Sequence, residues 1–192
     1  REDEAWWQQR HDDTLDRIRQ GKIDLIFIGD SITQGWETEG EALWQERYAP
    51  RNAVNLGFSG DKTQHVLWRL NNGEIDVPEG CVPKLAIVMI GTNNSNGNDC
   101  TTEQIAAGIT KIVKTLRAKL PKTKVLLLAI FPRGERMNPQ RDKNAIASDK
   151  ASKVADGKMV HYLDIGRKFM NATTMESIET VPRAGSVRAL RR

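Results

Sequence analysis

The chain has 192 residues, 39% hydrophobic and 28% charged, with a formal net charge of +4; this suits one domain that buries about 70% of the surface its unfolded chain exposes. No apolar run approaches the ~20 residues needed to span a bilayer. The charge does not mark a nucleic-acid groove: the last ten residues, RAGSVRALRR, hold four Arg and no acid, and the rest carries 25 basic and 25 acidic residues, a neutral body with a solvated basic end.

In chain order, a helix is expected from about Trp6 to Gln20, stopped by Gly21. The apolar run Ile23–Ile28 reads as a strand and leads into GDSITQGW. A helix near Ala42–Tyr48 precedes a second strand, Ala53–Phe58, within the stretch AVNLGFSGDKT. Gln64–Asn71 reads as a helix, and Leu85–Ile90 as a strand leading into GTNNSNGN. Thr102–Leu120 is the clearest helix, with Ile105, Ile109, Ile112, Val113 and Leu116 at the 3.6 period. Thr101 and Gln104 have capping-box spacing before it, and Pro121 ends it. Strand Val125–Phe131, helix Asn138–Ala155 and strand Val160–Ile165 follow, with FPRGERMNPQ after the fourth strand.

The strand runs are continuous rather than alternating, as in strands covered on both faces. Their alternation with helices predicts an α/β fold: about five parallel strands with helices on both faces. No internal repeat or domain linker is visible. Ligands of such sheets bind beyond the carboxyl ends of the strands, so the four polar loops after the first four strands should converge on one edge. Cys81 and Cys100 flank the third strand. That strand is about 20 Å long, whereas a disulfide needs Cα atoms within about 7 Å, so no bridge between them is expected. Two cysteines are also too few for a zinc site. The chain starts at Arg1 and shows no signal-peptide apolar region. It therefore reads as trimmed or as having lost a leader, and its compartment, cytoplasmic or exported, is not readable.

Ser31 sits at a strand end and opens the next helix, where free N–H groups and a partial positive charge suit an oxyanion. Taken alone it reads as a helix cap. Gly60 offers a backbone that a ligand can approach closely, and taken alone it reads equally as a turn glycine. Asn93 offers a side-chain amide and is also a common turn residue. A nucleophile, a backbone donor and an amide donor at three different strand ends are together the parts of an acyl-transfer site.

These residues resemble the blocks of the SGNH (GDSL) hydrolases. GDSIT is similar to the nucleophile block, with Ser31 as nucleophile. NLGFSGD matches the block with the oxyanion glycine, Gly60, and GTNN the block with the oxyanion asparagine, Asn93. GDKTQHVLWRLNNGE and FPRGERMNPQRDKNA are similar to the platelet-activating-factor acetylhydrolase Ib branch of that family. The resemblance runs from about Asp24 to Phe169. It implies a flavodoxin-like three-layer sandwich and a serine esterase needing no metal or other cofactor. It also implies small-molecule esters with short, acetyl-like acyl groups on lipids or carbohydrates. Ile32 and Thr92 adjoin the matched positions and would line the acyl pocket.

The family takes its base from a C-terminal Asp-x-x-His, and this block is not found. Of the three histidines, His11 lies in the first helix, His65 after the second block and His161 at the start of the fifth strand. His65 is the one candidate replacement. Asp164 reads as structural. Residues 1–171 form the domain, and 172–192 an atypical tail with neither His nor Asp, interrupted by Pro182. The tail suggests truncation or an altered reading frame near residue 172. Loss of the family's final helix would expose apolar surface and favour a homodimer.

The expected function is therefore a serine esterase of SGNH type, impaired in this chain by the missing His and Asp. The alternative is a non-catalytic module that keeps the pocket and binds acyl or sugar groups. A phosphate or nucleotide binder fits worse, because GDSITQGW lacks the Gly-rich, Lys-bearing pattern of a phosphate loop.

Overall fold

The computed structural model describes residues 4–170; the boundary expected near residue 171 and the atypical tail fall outside them. Five β-strands form one parallel sheet in the order β2-β1-β3-β4-β5. They are β1 (Leu25–Gly29), β2 (Ala53–Gly57), β3 (Leu85–Met89), β4 (Lys124–Leu128) and β5 (Val160–Leu163). Each expected apolar run overlaps its strand, with β1 running one residue past its run to Gly29 and β4 starting one residue before its run at Lys124, and the last strands stop short. The last register pair of β4 and β5 is Leu128 with Leu163, so residues 129–131 and 164–165 already belong to the loops that leave the sheet.

The helices are α1 (Ala5–Arg19), the short α2 (Ser31–Gln34), α3 (Glu41–Leu43), α4 (Thr63–Asn71), α5 (Thr102–Lys119) and α6 (Pro139–Ser152). The expected capping box of α5 is present, with Thr101 Oγ1 accepting from Gln104 N and Gln104 Oε1 accepting from Thr101 N. The helix expected over 42–48 divides: α3 widens into a π-helical turn, Trp44–Tyr48.

Alternate strand residues point to opposite faces. On one face Ile26, Ile28, Val54, Leu56, Val88 and Leu127 are buried under Ile18 of α1, Val66 and Leu70 of α4 and the apolar stripe of α5. α5 lies between α4 and α6. On the other face an aromatic cluster covers β1: Phe27 meets Trp44 at 5.1 Å and Tyr48 at 4.9 Å, and Trp36 meets Tyr48 at 5.2 Å. Further along that face Ile87, Leu126 and Leu128 are half-buried and Leu163 is exposed. The two faces are thus unequally covered, which a continuous apolar run does not reveal. Cys81 and Cys100 are free thiols. Among the described residues no helix is long and apolar enough to cross a membrane.

Parallel pairing puts every strand's carboxyl end on one edge, with α2 pressed against it. Gly57 is the contact point: a Cβ there would lie 2.2 Å from Gln34 N and 2.6 Å from Thr33 C. Both are backbone atoms, which cannot swing away. Gly57→Ala should therefore push α2 off the sheet edge and cost about 2 kcal/mol, read as a lower urea midpoint; an unchanged midpoint would contradict this contact.

Candidate active site

The turn after β1 is sharp because Gly29 has no Cβ; one would lie 2.1 Å from Thr33 Oγ1 and 2.6 Å from Met89 O. The reading of Ser31 as a cap needs correcting. Asp30 is the N-cap of α2, its Oδ1 accepting from Ile32 N at 3.0 Å. Ser31 is the first helical residue, half-buried, and its hydroxyl has no hydrogen-bond partner among the described residues. Asp30 thus takes over the local capping duty and leaves the serine hydroxyl uncommitted.

Three strand ends are tied to one another here. The Gln34 side chain on α2 accepts from Ser59 N at 2.6 Å, and Asn55 Nδ2 donates to Thr33 O at 2.9 Å. These bonds fasten the Ser31 turn to the loop after β2. Asn93 Nδ2, after β3, donates to Asp61 O at 2.9 Å, one residue beyond Gly60. Gly60 has φ +74°, a conformation glycine adopts without a Cβ penalty. Its N–H has no acceptor among the described residues. An amide nitrogen carries two hydrogens, so Asn93 can hold the loop with one and offer the other. Ser31, Gly60 and Asn93, picked from sequence, thus lie on loops joined by hydrogen bonds. Ile32 and Thr92 line one narrow crevice with Asp30, Met89, Ile90, Ile130 and Phe131, too tight as it stands to admit a water molecule.

Sequence reasoning missed what lies beneath this edge. Asp61 is fully buried; its Oδ1 accepts from Trp7 Nε1 and its Oδ2 from Arg69 Nε, both at 2.9 Å. Arg69, also fully buried, pairs with Glu74 and donates to Leu56 O at 3.2 Å. Its guanidinium lies 3.8 Å from the centre of the Phe58 ring. Glu74 in turn holds His11 Nδ1 at 2.8 Å. The partners are 54 and 63 positions apart in two of these contacts, so no local pattern announces them.

Each histidine has a hydrogen-bond partner other than Ser31. His11 is buried against Glu74. His65, in the first turn of α4, accepts from Lys62 N at 2.9 Å through Nδ1, which also lies 3.7 Å from Asp61 Oδ1. His161 lies near the start of β5, at the far edge of the sheet, with Nε2 3.1 Å from Lys158 O. Asp164 closes a turn by accepting from Gly166 N at 2.7 Å. Among the described residues no cluster of three or more His, Cys, Asp or Glu could hold a metal.

The sequence profile of the GDSL-like Lipase/Acylhydrolase family matches residues 27–180. The chain belongs to that family. It is 38% identical over 172 residues to platelet-activating factor acetylhydrolase IB subunit alpha2 of Rattus norvegicus, covering 88% of this chain and 71% of the relative. Its fold is similar to a GDSL-like lipase from Bacteroides thetaiotaomicron: TM-score 0.73, 16% identity, 92% of this chain and 86% of that one. It is also similar to a carbohydrate acetylesterase from Sinorhizobium meliloti: TM-score 0.61, 18% identity, 81% and 89% covered. The chain is thus a hydrolase by family.

Within this GDSL-family site, burial pushes the Asp30 carboxyl up to about 7; the Ile32 N–H bond opposes the rise, the Asp61 carboxylate adds to it and the Arg133 guanidinium opposes it. Asp30 Oδ2 is buried without a hydrogen-bond partner among the described residues, a position that a neutral acid tolerates far better than a carboxylate. The unfolded aspartate ionises near 3.8, so folding takes up a proton between about pH 4 and pH 7. This contribution is complete below about pH 4 and lost as the pH passes about 7. Asp30→Asn keeps an acceptor for Ile32 N but does not titrate. Relative to that variant, the parent should lose about 3 kcal/mol of unfolding free energy between pH 5 and pH 8, measured by urea denaturation. A pH-independent difference would show that Asp30 is already ionised at pH 5.

Proposed function

We propose that the chain is a serine ester hydrolase for short, acetyl-like acyl groups carried on lipids or carbohydrates. In this reading Ser31 Oγ attacks the acyl carbonyl carbon. The negative charge that gathers on the carbonyl oxygen is received by Gly60 N–H and the second hydrogen of Asn93 Nδ2. The alcohol departs with a proton, and water then cleaves the acyl-serine. Ile32 and Thr92 bound the acyl group. The observation that carries the reading is the bond from Asn93 to the carbonyl next to Gly60. It brings two donors from different strand ends to one loop, itself fastened to the turn bearing Ser31. The relatives' names point the same way: one is an acetylhydrolase subunit, and a structural neighbour is a carbohydrate acetylesterase.

A serine hydroxyl needs a base to be nucleophilic near neutral pH. All three histidines lie among the described residues: His11 is bonded to Glu74, His161 faces Lys158 O, and His65 Nδ1 accepts from Lys62 N and lies 3.7 Å from Asp61 Oδ1. On these residues alone, with no further segment supplying a base, the proposal is of a slow enzyme. In a well-studied serine protease, loss of the catalytic histidine costs about 2 × 10⁶ in turnover and leaves roughly 10³–10⁴ over water. The same histidine commitments favour a second reading, a module that binds acyl or sugar groups in the pocket without cleaving them.

A fluorophosphonate probe distinguishes the two. The esterase reading expects slow labelling that Ser31→Ala abolishes and that Asn93→Ala slows by about 10²–10³. Acetate binding without any labelling would favour the binding module. For the acyl pocket, Ile32→Ala is expected to shift preference from acetyl toward hexanoyl p-nitrophenyl esters, and an unchanged ratio would remove Ile32 from that role.

A further inference from the structure

We propose that Arg69, acting through Asp61, is a positioning residue that fixes the direction of the Gly60 N–H. The inference rests on the reading of Gly60 as an oxyanion donor and adds the device that aims it. An oxyanion donor is useful only if it points where charge develops, with a tolerance of about 0.5 Å. A five-residue loop of FSGDK cannot hold such a direction by itself, and glycine widens the choice of conformations.

Asp61 removes that freedom. Its carboxylate is held by the Trp7 indole from α1 and the Arg69 guanidinium from α4. Its carbonyl is held by the Asn93 amide, and its own N–H donates to Phe58 O at 3.1 Å. On the other side of Gly60, Ser59 N is held by Gln34. The glycine is thus bracketed by two fixed residues. Arg69 cannot itself drift, because Glu74 and Leu56 O take its remaining nitrogens and Phe58 lies under its plane. Phe58 belongs to the same loop, so one guanidinium grips both ends of the segment containing Gly60.

Stability alone is a poor explanation for this arrangement. Arg69, Asp61 and Glu74 have no exposed surface. Taking such charges out of water is expensive, and apolar residues of similar volume often serve stability as well or better. What charge-assisted, forked hydrogen bonds supply is direction. Lysine carries the same charge but cannot reach three partners in one plane.

The test uses Arg69→Lys in the full chain. The residual dipolar coupling of the Gly60 N–H reads the direction of that bond whether or not the protein is an esterase. It is expected to change or average down while the couplings of α5 stay as in the parent. The rate of fluorophosphonate labelling of Ser31 is expected to fall by about tenfold or more, measured well below the unfolding midpoint. An unchanged Gly60 coupling overturns the inference. So does an unchanged labelling rate in a variant that has merely lost thermal stability. If the parent itself is not labelled, the esterase reading fails, and the Gly60 coupling still decides whether Arg69 positions the loop. Should Arg69→Lys not fold, Glu74→Gln removes one anchor of Arg69 and is held to the same outcomes.

Discussion

The buried pair of Arg69 and Asp61 is the constraint on which the sheet's carboxyl edge depends. It joins α4 to the loop after β2, and through Trp7 it joins α1 to the same point. Asn93 then attaches the loop after β3, and Gln34 attaches the turn after β1. Parallel strands bring these loops to one edge, but topology alone leaves them free to move. Hydrogen bonds to one buried aspartate and to its neighbours turn three adjacent loops into a fixed surface.

Charge is arranged unequally on that surface. Asp61 is compensated by a guanidinium and an indole, whereas Asp30 is buried with one backbone bond and an unpartnered oxygen. Two carboxyl groups near each other separate in this way when only one has a cation to pair with. The one that burial keeps protonated up to about pH 7 precedes Ser31, where in the proposed reaction a second anion would oppose the charge of a tetrahedral intermediate. Opposed environments for paired carboxyl groups recur in hydrolytic sites.

Much of this was legible in the sequence. Continuous apolar runs gave five strands, and the polar loops after them gave the edge where Ser31, Gly60, Asn93, Ile32 and Thr92 lie. The strand ends were read too long because an apolar residue such as Ala129 or Ile130 is equally at home under a helix. The cap of α2 was misplaced by one residue, since Asp30 and Ser31 are both good caps and only the turn decides which side chain reaches Ile32 N. Arg69 was invisible. A charged residue in an amphipathic helix ordinarily faces water, and its partners come from separate parts of the chain. The family resemblance supplied the roles of the site residues, which spacing alone left balanced against caps and turns.

The most direct measurement is a crystal structure of the chain after reaction with a fluorophosphonate, whose phosphonyl oxygen stands in for the tetrahedral oxyanion. The account expects phosphorus bonded to Ser31 Oγ and the phosphonyl oxygen about 2.7–3.1 Å from both Gly60 N and Asn93 Nδ2. An adduct on another residue, or one at Ser31 with its oxygen turned to solvent, would contradict it.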